Sequence, residues 1–152
     1  RTPLAPAKAK VLSREILLVP ILRAGQGLIS LVDQFLPEAC IGYIGMARNE
    51  ESLQPESYLE KLPSRLGRYE VIVCDPMLAT GGSAIAAGNR LKKLGAKRIR
   101  FVHALASPEG ISALRKAFPK EPIITASVDD CLNDKGYIMP GLGDAGDRCF
   151  GC

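Results

Sequence analysis

Val71-Ile-Val-Cys-Asp-Pro-Met-Leu-Ala-Thr-Gly-Gly-Ser83 decides how this chain folds. Val71, Ile72 and Val73 form a continuous β-branched run, the pattern of a parallel strand covered on both faces. From Ile85 to Leu94 apolar residues recur at helical spacing. Asp75 therefore stands at a strand's carboxyl edge, and Thr80, Gly81, Gly82 and Ser83 stand where a helix begins. Such a turn leaves main-chain N–H groups uncrowded, and with the helix dipole they favour a phosphate dianion. Asp75 would repel that phosphate. Its suitable partners are hydroxyl groups, such as the 2′ and 3′ oxygens of a ribose whose 5′-phosphate occupies the turn. No Lys follows the glycines as a Walker A loop requires, and the stretch contains no G-x-G-x-x-G.

The flanking sequence repeats the strand-to-helix logic. Strands are expected over residues 16–22, 39–46, 70–75, 99–106 and 123–128, and helices over about 27–35, 82–94 and 108–117. This alternation predicts an α/β fold, a mainly parallel twisted sheet flanked by helices, with ligands bound at the strands' carboxyl ends. Residues 1–10, rich in Pro, Ala and Lys, read as a linker or loop, and residues 11–152 as one domain. Residues 49–61 interrupt the rhythm with Asn49-Glu-Glu-Ser-Leu-Gln-Pro-Glu-Ser-Tyr58, polar and holding a central Pro. We expect a flexible lid or hairpin there rather than a core element.

The composition sets outer bounds. A chain of 152 residues suffices for one real core. Hydrophobic residues make up 47%, with four Phe, four Tyr and no Trp, so that core is aliphatic, as suits a Val/Ile-rich parallel sheet. No apolar run is long enough to span a membrane, and the N-terminus does not read as a secretory leader. A cytoplasmic protein without membrane contact is expected. The net charge of +4 is spread rather than striped, which argues against nucleic acid and suits a small polyphosphate. Arg90 to Lys93 read as the solvated, cationic end of a helix. Five cysteines are an odd count, and Cys40 and Cys74 sit inside apolar runs, which points to a reducing compartment. Cys149-Phe-Gly-Cys152 has no second pair at metal-ligand spacing. His103 alternates within Phe101-Val-His-Ala-Leu-Ala106 and reads as a packed strand residue. Asp129 and Asp130 end a strand, where a solvated strand end is favoured over a metal site.

Two further blocks carry chemistry. Val19-Pro-Ile-Leu-Arg-Ala-Gly-Gln-Gly27 puts a fixed cation, Arg23, at a strand's end; its Gly25-Gln-Gly-Leu-Ile-Ser30 falls short of the dinucleotide fingerprint, with Ser last and no acidic residue at the required distance. Tyr137-Ile-Met-Pro-Gly-Leu-Gly-Asp-Ala-Gly-Asp147 contains the string G-x-G-x-x-G from Gly141 to Gly146, but only six residues follow, too few for a βαβ unit. Glycines and a proline beside Asp144 and Asp147 suggest instead backbone brought close to a flat ligand.

These blocks, in this order, resemble the phosphoribosyltransferases. Asp75 to Ser83 is similar to their loop for 5-phosphoribosyl diphosphate (PRPP). Pro76, where most of the superfamily carries a second acidic residue, narrows the resemblance to the uracil phosphoribosyltransferase family. Pro-Ile-Leu-Arg-Ala-Gly and the 137–147 block resemble that family's pyrophosphate and uracil loops. Gln26 stands where Leu is expected and Ala47 where Tyr is frequent. The resemblance implies a type I phosphoribosyltransferase fold, synthesis of UMP and diphosphate from uracil and PRPP, and Mg²⁺ carried by PRPP rather than by a protein site. It implies that Arg23, Arg48, Asp75 and Asp144 act in catalysis. It implies PRPP contacts from those four and from Pro76, Met77, Leu78, Ala79, Thr80, Gly81, Gly82 and Ser83, and uracil contacts from Ile138, Gly143, Asp144 and Ala145. By the same comparison a further N-terminal segment is expected. GTP as an effector and a homo-oligomer, dimer or tetramer, are compatible with the resemblance but not established by the residues. Two rivals are a catalytically silent nucleotide-sensing or kinase-fused domain, and a transferase for another base.

Overall fold

A computed structural model of the chain describes residues 1–32, 34–48 and 55–151. Regular structure begins with β1 (Ile16–Leu22), followed by α1 (Gly25–Val32), β2 (Cys40–Ile41), β3 (Tyr43–Arg48), β4 (Pro55–Lys61), a 3₁₀ turn at Leu66–Arg68, β5 (Glu70–Cys74) and β6 (Met77–Leu78). Then come α2 (Gly82–Lys93), β7 (Ile99–Ala106), α3 (Pro108–Ala117), β8 (Ile123–Val128), β9 (Cys131–Leu132), β10 (Ile138–Met139) and α4 (Ala145–Phe150). Residues 1–15 contribute no helix or strand and are exposed.

The main sheet runs β4-β3-β1-β5-β7-β6, with β2 beside β1 and β8 beside β7; β9 and β10 form a separate antiparallel pair. β1, β5, β7 and β8 are mutually parallel, with Leu17 opposite Val71, Val73 opposite Phe101, and Phe101 opposite Ile123. This register brings the ends of β1 and β5 to one edge, where each chain segment turns into a helix. Among the described residues only β4 departs from the parallel pattern in the main sheet, pairing antiparallel to β3. The second half of the expected lid or hairpin is thus an edge strand, tied to α2 by Arg90, whose Nε and Nη2 reach the Glu60 carboxylate at 2.5 and 3.0 Å. Arg90 is therefore more than a solvated helix end. Residues 49–54 lie outside the described residues.

One sheet face packs Leu17, Val19, Val71, Val73 and Phe101 against Ala84, Ala87 and Leu91 of α2 and Leu114 of α3. On the other, Leu18 and Cys74 pack with Ile29 of α1. The sharpest constraint on the first face is Gly88, since a Cβ there would lie 2.6 Å from the Phe118 ring and 2.9 Å from that of Phe101. Those rings pack against each other at 5.2 Å. Exchanging Gly for Ala inside a helix normally gains about 1 kcal/mol, whereas overpacking a tight core costs about 1–3 kcal/mol. Gly88→Ala should therefore lower the thermal midpoint, and a raised midpoint in differential scanning calorimetry would show that the two rings yield without cost.

Candidate active site

The β5 strand ends at Cys74, and Asp75 follows it at the floor of an open cleft of about 390 Å³. One wall is the turn Ala79, Thr80, Gly82 and Ser83; the other is Ile138 with Gly143 to Gly146. Gly81 is the residue before α2 and holds φ +83°, a conformation that L side chains rarely adopt. Gly81 has no side chain to cap this helix, and the Gly82 N–H makes only a long hydrogen bond, 3.4 Å, to Thr80 Oγ1. The first turn of α2 thus presents main-chain donors to the cleft, with Arg90, Lys92 and Lys93 complementing the dipole at its far end.

That turn is shaped from behind by α3. Ser107 is fully buried, caps α3 by accepting from the Gly110 N–H at 2.9 Å, and donates its own hydroxyl to the Ala79 carbonyl at 2.7 Å. A Cβ on Gly110 would run into the Leu78 and Ala79 carbonyls, so only glycine allows α3 this close. Pro76, Met77 and Leu78 occupy the short β6 segment and its approach, where the Pro76 carbonyl accepts from the N–H groups of both Ala104 and Leu105.

This arrangement takes the ladder donors past the Asp75 carbonyl, which instead lies 2.7 Å from Nδ1 of His103. Burial pushes the His103 imidazole down to about 4, so the ring is neutral and Nδ1 carries the hydrogen. Its Nε2 is buried without a hydrogen-bond partner. The Asp75 residue keeps some surface toward the cleft, yet protein surrounds its carboxyl, and this burial pushes it up to about 7 against an opposing hydrogen bond from the Met77 N–H. Cys74, buried beside it, is pushed up to about 12, chiefly by burial and then by the Asp75 charge, and remains a thiol.

Arg23 lies just beyond β1, where its Nη2 contacts Asp147 Oδ1 at 3.1 Å with both side chains about half exposed. Asp144 is the residue before α4 and accepts from the Asp147 N–H at 2.9 Å, so the last helix begins at the cleft and ties back to the β1 end. Arg48 ends β3, its backbone opposite Pro55; its side chain lies outside the description. Ala24, Met46, Lys135 and Tyr137 also line the cleft and were not singled out from the sequence. Lys135 is the one cationic side chain among the described lining residues, and its neighbour Gly136 packs near the Thr80 methyl group. Nothing at sequence level linked this Lys to a turn over fifty positions earlier. Cys131 and Cys149 are exposed free thiols, and Cys152 lies outside the described residues. A wider hollow of about 670 Å³, lined by Leu12, Glu15, Phe35 and Arg68 among others, sits at the opposite edge, near the start of β1. Ligands of open parallel sheets favour the carboxyl ends, so the smaller cleft is the better candidate. Among the described residues no group of three or more His, Cys, Asp or Glu could hold a metal, and no helix is long and apolar enough to cross a membrane.

The sequence profile of the uracil phosphoribosyltransferase family matches residues 1–152. The chain is 54% identical over 151 residues to the uracil phosphoribosyltransferase of Levilactobacillus brevis, covering 99% of this chain and 72% of that relative. The corresponding protein of Dictyoglomus thermophilum is 54% identical, with 99% and 73% covered. Among solved structures, a protein from Aquifex aeolicus superposes with a TM-score of 0.89 at 42% identity, over 99% of this chain and 72% of that one. The purine phosphoribosyltransferase of Pyrococcus horikoshii, at 18% identity, TM-score 0.60 and 75% and 70% coverage, shares the fold.

The two shifted groups oppose each other in the stability of the protein. Asp75, raised from 3.8 to about 7, leaves the folded state holding more protons than the unfolded one, so its contribution is lost as pH rises through that window. His103, lowered from 6.5 to about 4, does the reverse, and stability grows with pH between those values. Asp75→Asn should therefore unmask a rise in unfolding free energy, on the order of a few kcal/mol, between pH 4 and 6.5. Urea titrations showing the same pH profile in variant and parent would mean that the carboxyl is not desolvated.

Proposed function

Because this chain belongs to the uracil phosphoribosyltransferase family, we propose that it transfers the 5-phosphoribosyl group of PRPP to uracil, giving UMP and diphosphate in pyrimidine salvage. The observation that carries this reading is the shared cleft: an uncapped helix N-terminus, a strand-end carboxylate and a glycine-rich loop face one another across about 390 Å³. In the reaction the C1′–O bond to diphosphate breaks, uracil N1 bonds to C1′, and the N1 proton leaves. Positive charge builds on the ribose and negative charge on the diphosphate, so orientation and electrostatic stabilisation are the main tasks.

The turn from Thr80 to Ser83 that leads into α2 anchors the 5′-phosphate, with Lys135 supplying countercharge across the cleft. Asp75 holds the ribose hydroxyls. With its carboxyl raised to about 7, Asp75 is about half ionised near neutral pH, and hydrogen bonds from those hydroxyls favour the ionised form. Arg23 and Arg48 neutralise the leaving diphosphate, and Asp144 joins the base loop to the PRPP side. Mg²⁺ enters bound to the diphosphate as part of the substrate, in keeping with its habit of keeping phosphate and water ligands. Ile138, Gly143 and Ala145 meet the uracil edge, which offers two carbonyl acceptors flanking an N–H donor. Cytosine reverses part of that pattern and would leave buried main-chain groups unpaired, at about 1–3 kcal/mol each. A cytoplasmic setting, GTP as an effector and a homo-oligomer complete the proposal, the first supported by the buried thiol of Cys74 and the other two by family resemblance alone.

Assay of UMP formation from uracil and PRPP is the decisive experiment. We expect turnover of uracil and rejection of cytosine and hypoxanthine; comparable turnover of all three would remove the base assignment. Gly82→Val should weaken PRPP binding at least about tenfold in a folded protein, because the new side chain crowds the donors without a close steric clash. Lys135→Met should weaken it several-fold and flatten its salt dependence, whereas unchanged calorimetric affinity would exclude Lys135 from the site. Arg48→Lys should recover only part of the activity lost in Arg48→Ala, since a point charge cannot reproduce a guanidinium fork.

A further inference from the structure

We propose that Asp129, which does not line the cleft, is the positioning residue that fixes the base loop, an inference that rests on the uracil reading of that loop. Asp129 follows β8, and its N–H extends the β7–β8 pairing by donating to the Ala106 carbonyl at 2.9 Å. Its carboxylate Oδ2 accepts from the Gly141 N–H at 2.8 Å. The next residue, Asp130, donates its N–H to the Met139 carbonyl at 3.0 Å. The rigid end of β8 thus grips the loop on both sides of Pro140.

The gripped segment is tight. Gly141 has φ +57°, and a Cβ there would strike the Ile138 carbonyl. Ile138 is 3% exposed and lines the cleft, as do Gly143, Asp144 and Ala145 just beyond the grip. The glycines that let main chain approach a flat ligand also leave positions 141 and 143 without side chains to hold them. An ionised carboxylate accepting a main-chain N–H supplies that hold, because charge-assisted hydrogen bonds are shorter and stronger than neutral ones. Asp129 thereby sets the height of the loop above Asp75 and the phosphate turn, without touching substrate. At the sequence level this pair of carboxylates offered only a solvated strand end or a metal; the first of them is instead committed to the loop.

The test compares the parent protein with Asp129→Ala and Asp129→Asn, the latter retaining an oxygen acceptor. Steady-state kinetics at saturating PRPP would give KM for uracil, calorimetry the PRPP affinity, and amide exchange the protection of Gly141. We expect Asp129→Ala to raise the uracil KM about tenfold or more, with PRPP affinity within about twofold of the parent, and Asp129→Asn to recover most of the loss. A folded Ala variant with the parent's uracil KM, or with PRPP and uracil affinity lost equally, would overturn the proposal. Should Asp129→Ala fail to fold, Asp129→Glu replaces it: a displaced acceptor should raise the uracil KM while Asn does not, and equal KM values in the two overturn the idea. A parent that makes no UMP would refute the uracil reading rather than the grip. Amide exchange then decides, with Gly141 protection lost in Ala and kept in Asn supporting it, and unchanged exchange overturning it.

Discussion

The hydroxyl of Ser107 holds two helix starts together, and the candidate site depends on it. It accepts from Gly110 at the head of α3 and donates to the Ala79 carbonyl at the approach to α2. Because Ser107 is fully buried, neither bond competes with water. The missing side chain at Gly110 lets the carbonyls of Leu78 and Ala79 settle against α3, and this sets the direction from which the chain enters Gly81. Main-chain donors at the head of α2 are therefore aimed by packing. Their geometry is inherited from the core beneath, where Leu114 of α3 and Leu91 of α2 share one apolar face of the sheet.

Much of this was legible in the sequence wherever burial dictates residue type. Apolar runs fix β1 and β7 at the limits read from their pattern, and β8 matches its limits too although it lies half-exposed or exposed beside β7. α3 was equally plain, with Ser107 before Pro108 forming the usual helix opening. The expected strand over 39–46 divides into β2 and β3, two segments pairing with different stretches of β1. β4 escaped as a strand because an edge strand beside solvent can be polar, as Glu56, Ser57 and Glu60 are. The short α4 begins within a glycine-rich stretch whose helical character comes from the Asp144 cap rather than from propensity.

Within the site, residues adjacent in sequence were legible and pairings across the fold were not. Asp75 and the following turn declare themselves by order alone. That His103 would supply the donor missing from the Asp75 carbonyl depends on where the β7 ladder shifts toward Pro76, a detail of register. Lys135 and Tyr137 reach the cleft only because the β9–β10 pair folds back beside the Thr80 turn. Arg23 could be read as a cation at a strand end, but its pairing with Asp147 is a fact of three dimensions.

That last pair joins residues 124 positions apart, near opposite ends of the structured chain. Its exposure limits its worth to roughly 0–1 kcal/mol, and salt screens it. The parallel core, by contrast, is complete once β8 has joined β7, before the chain reaches the glycine-rich loop after β10. Once that core has formed, ordering the segment beyond Gly141 still costs backbone entropy that a single exposed ion pair scarcely offsets. The wall carrying Asp144 is therefore the natural last arrival in folding and the natural first departure on heating. A protein that still shows its three longer helices and buried aliphatic core can already have lost the wall of the candidate cleft that carries Asp144.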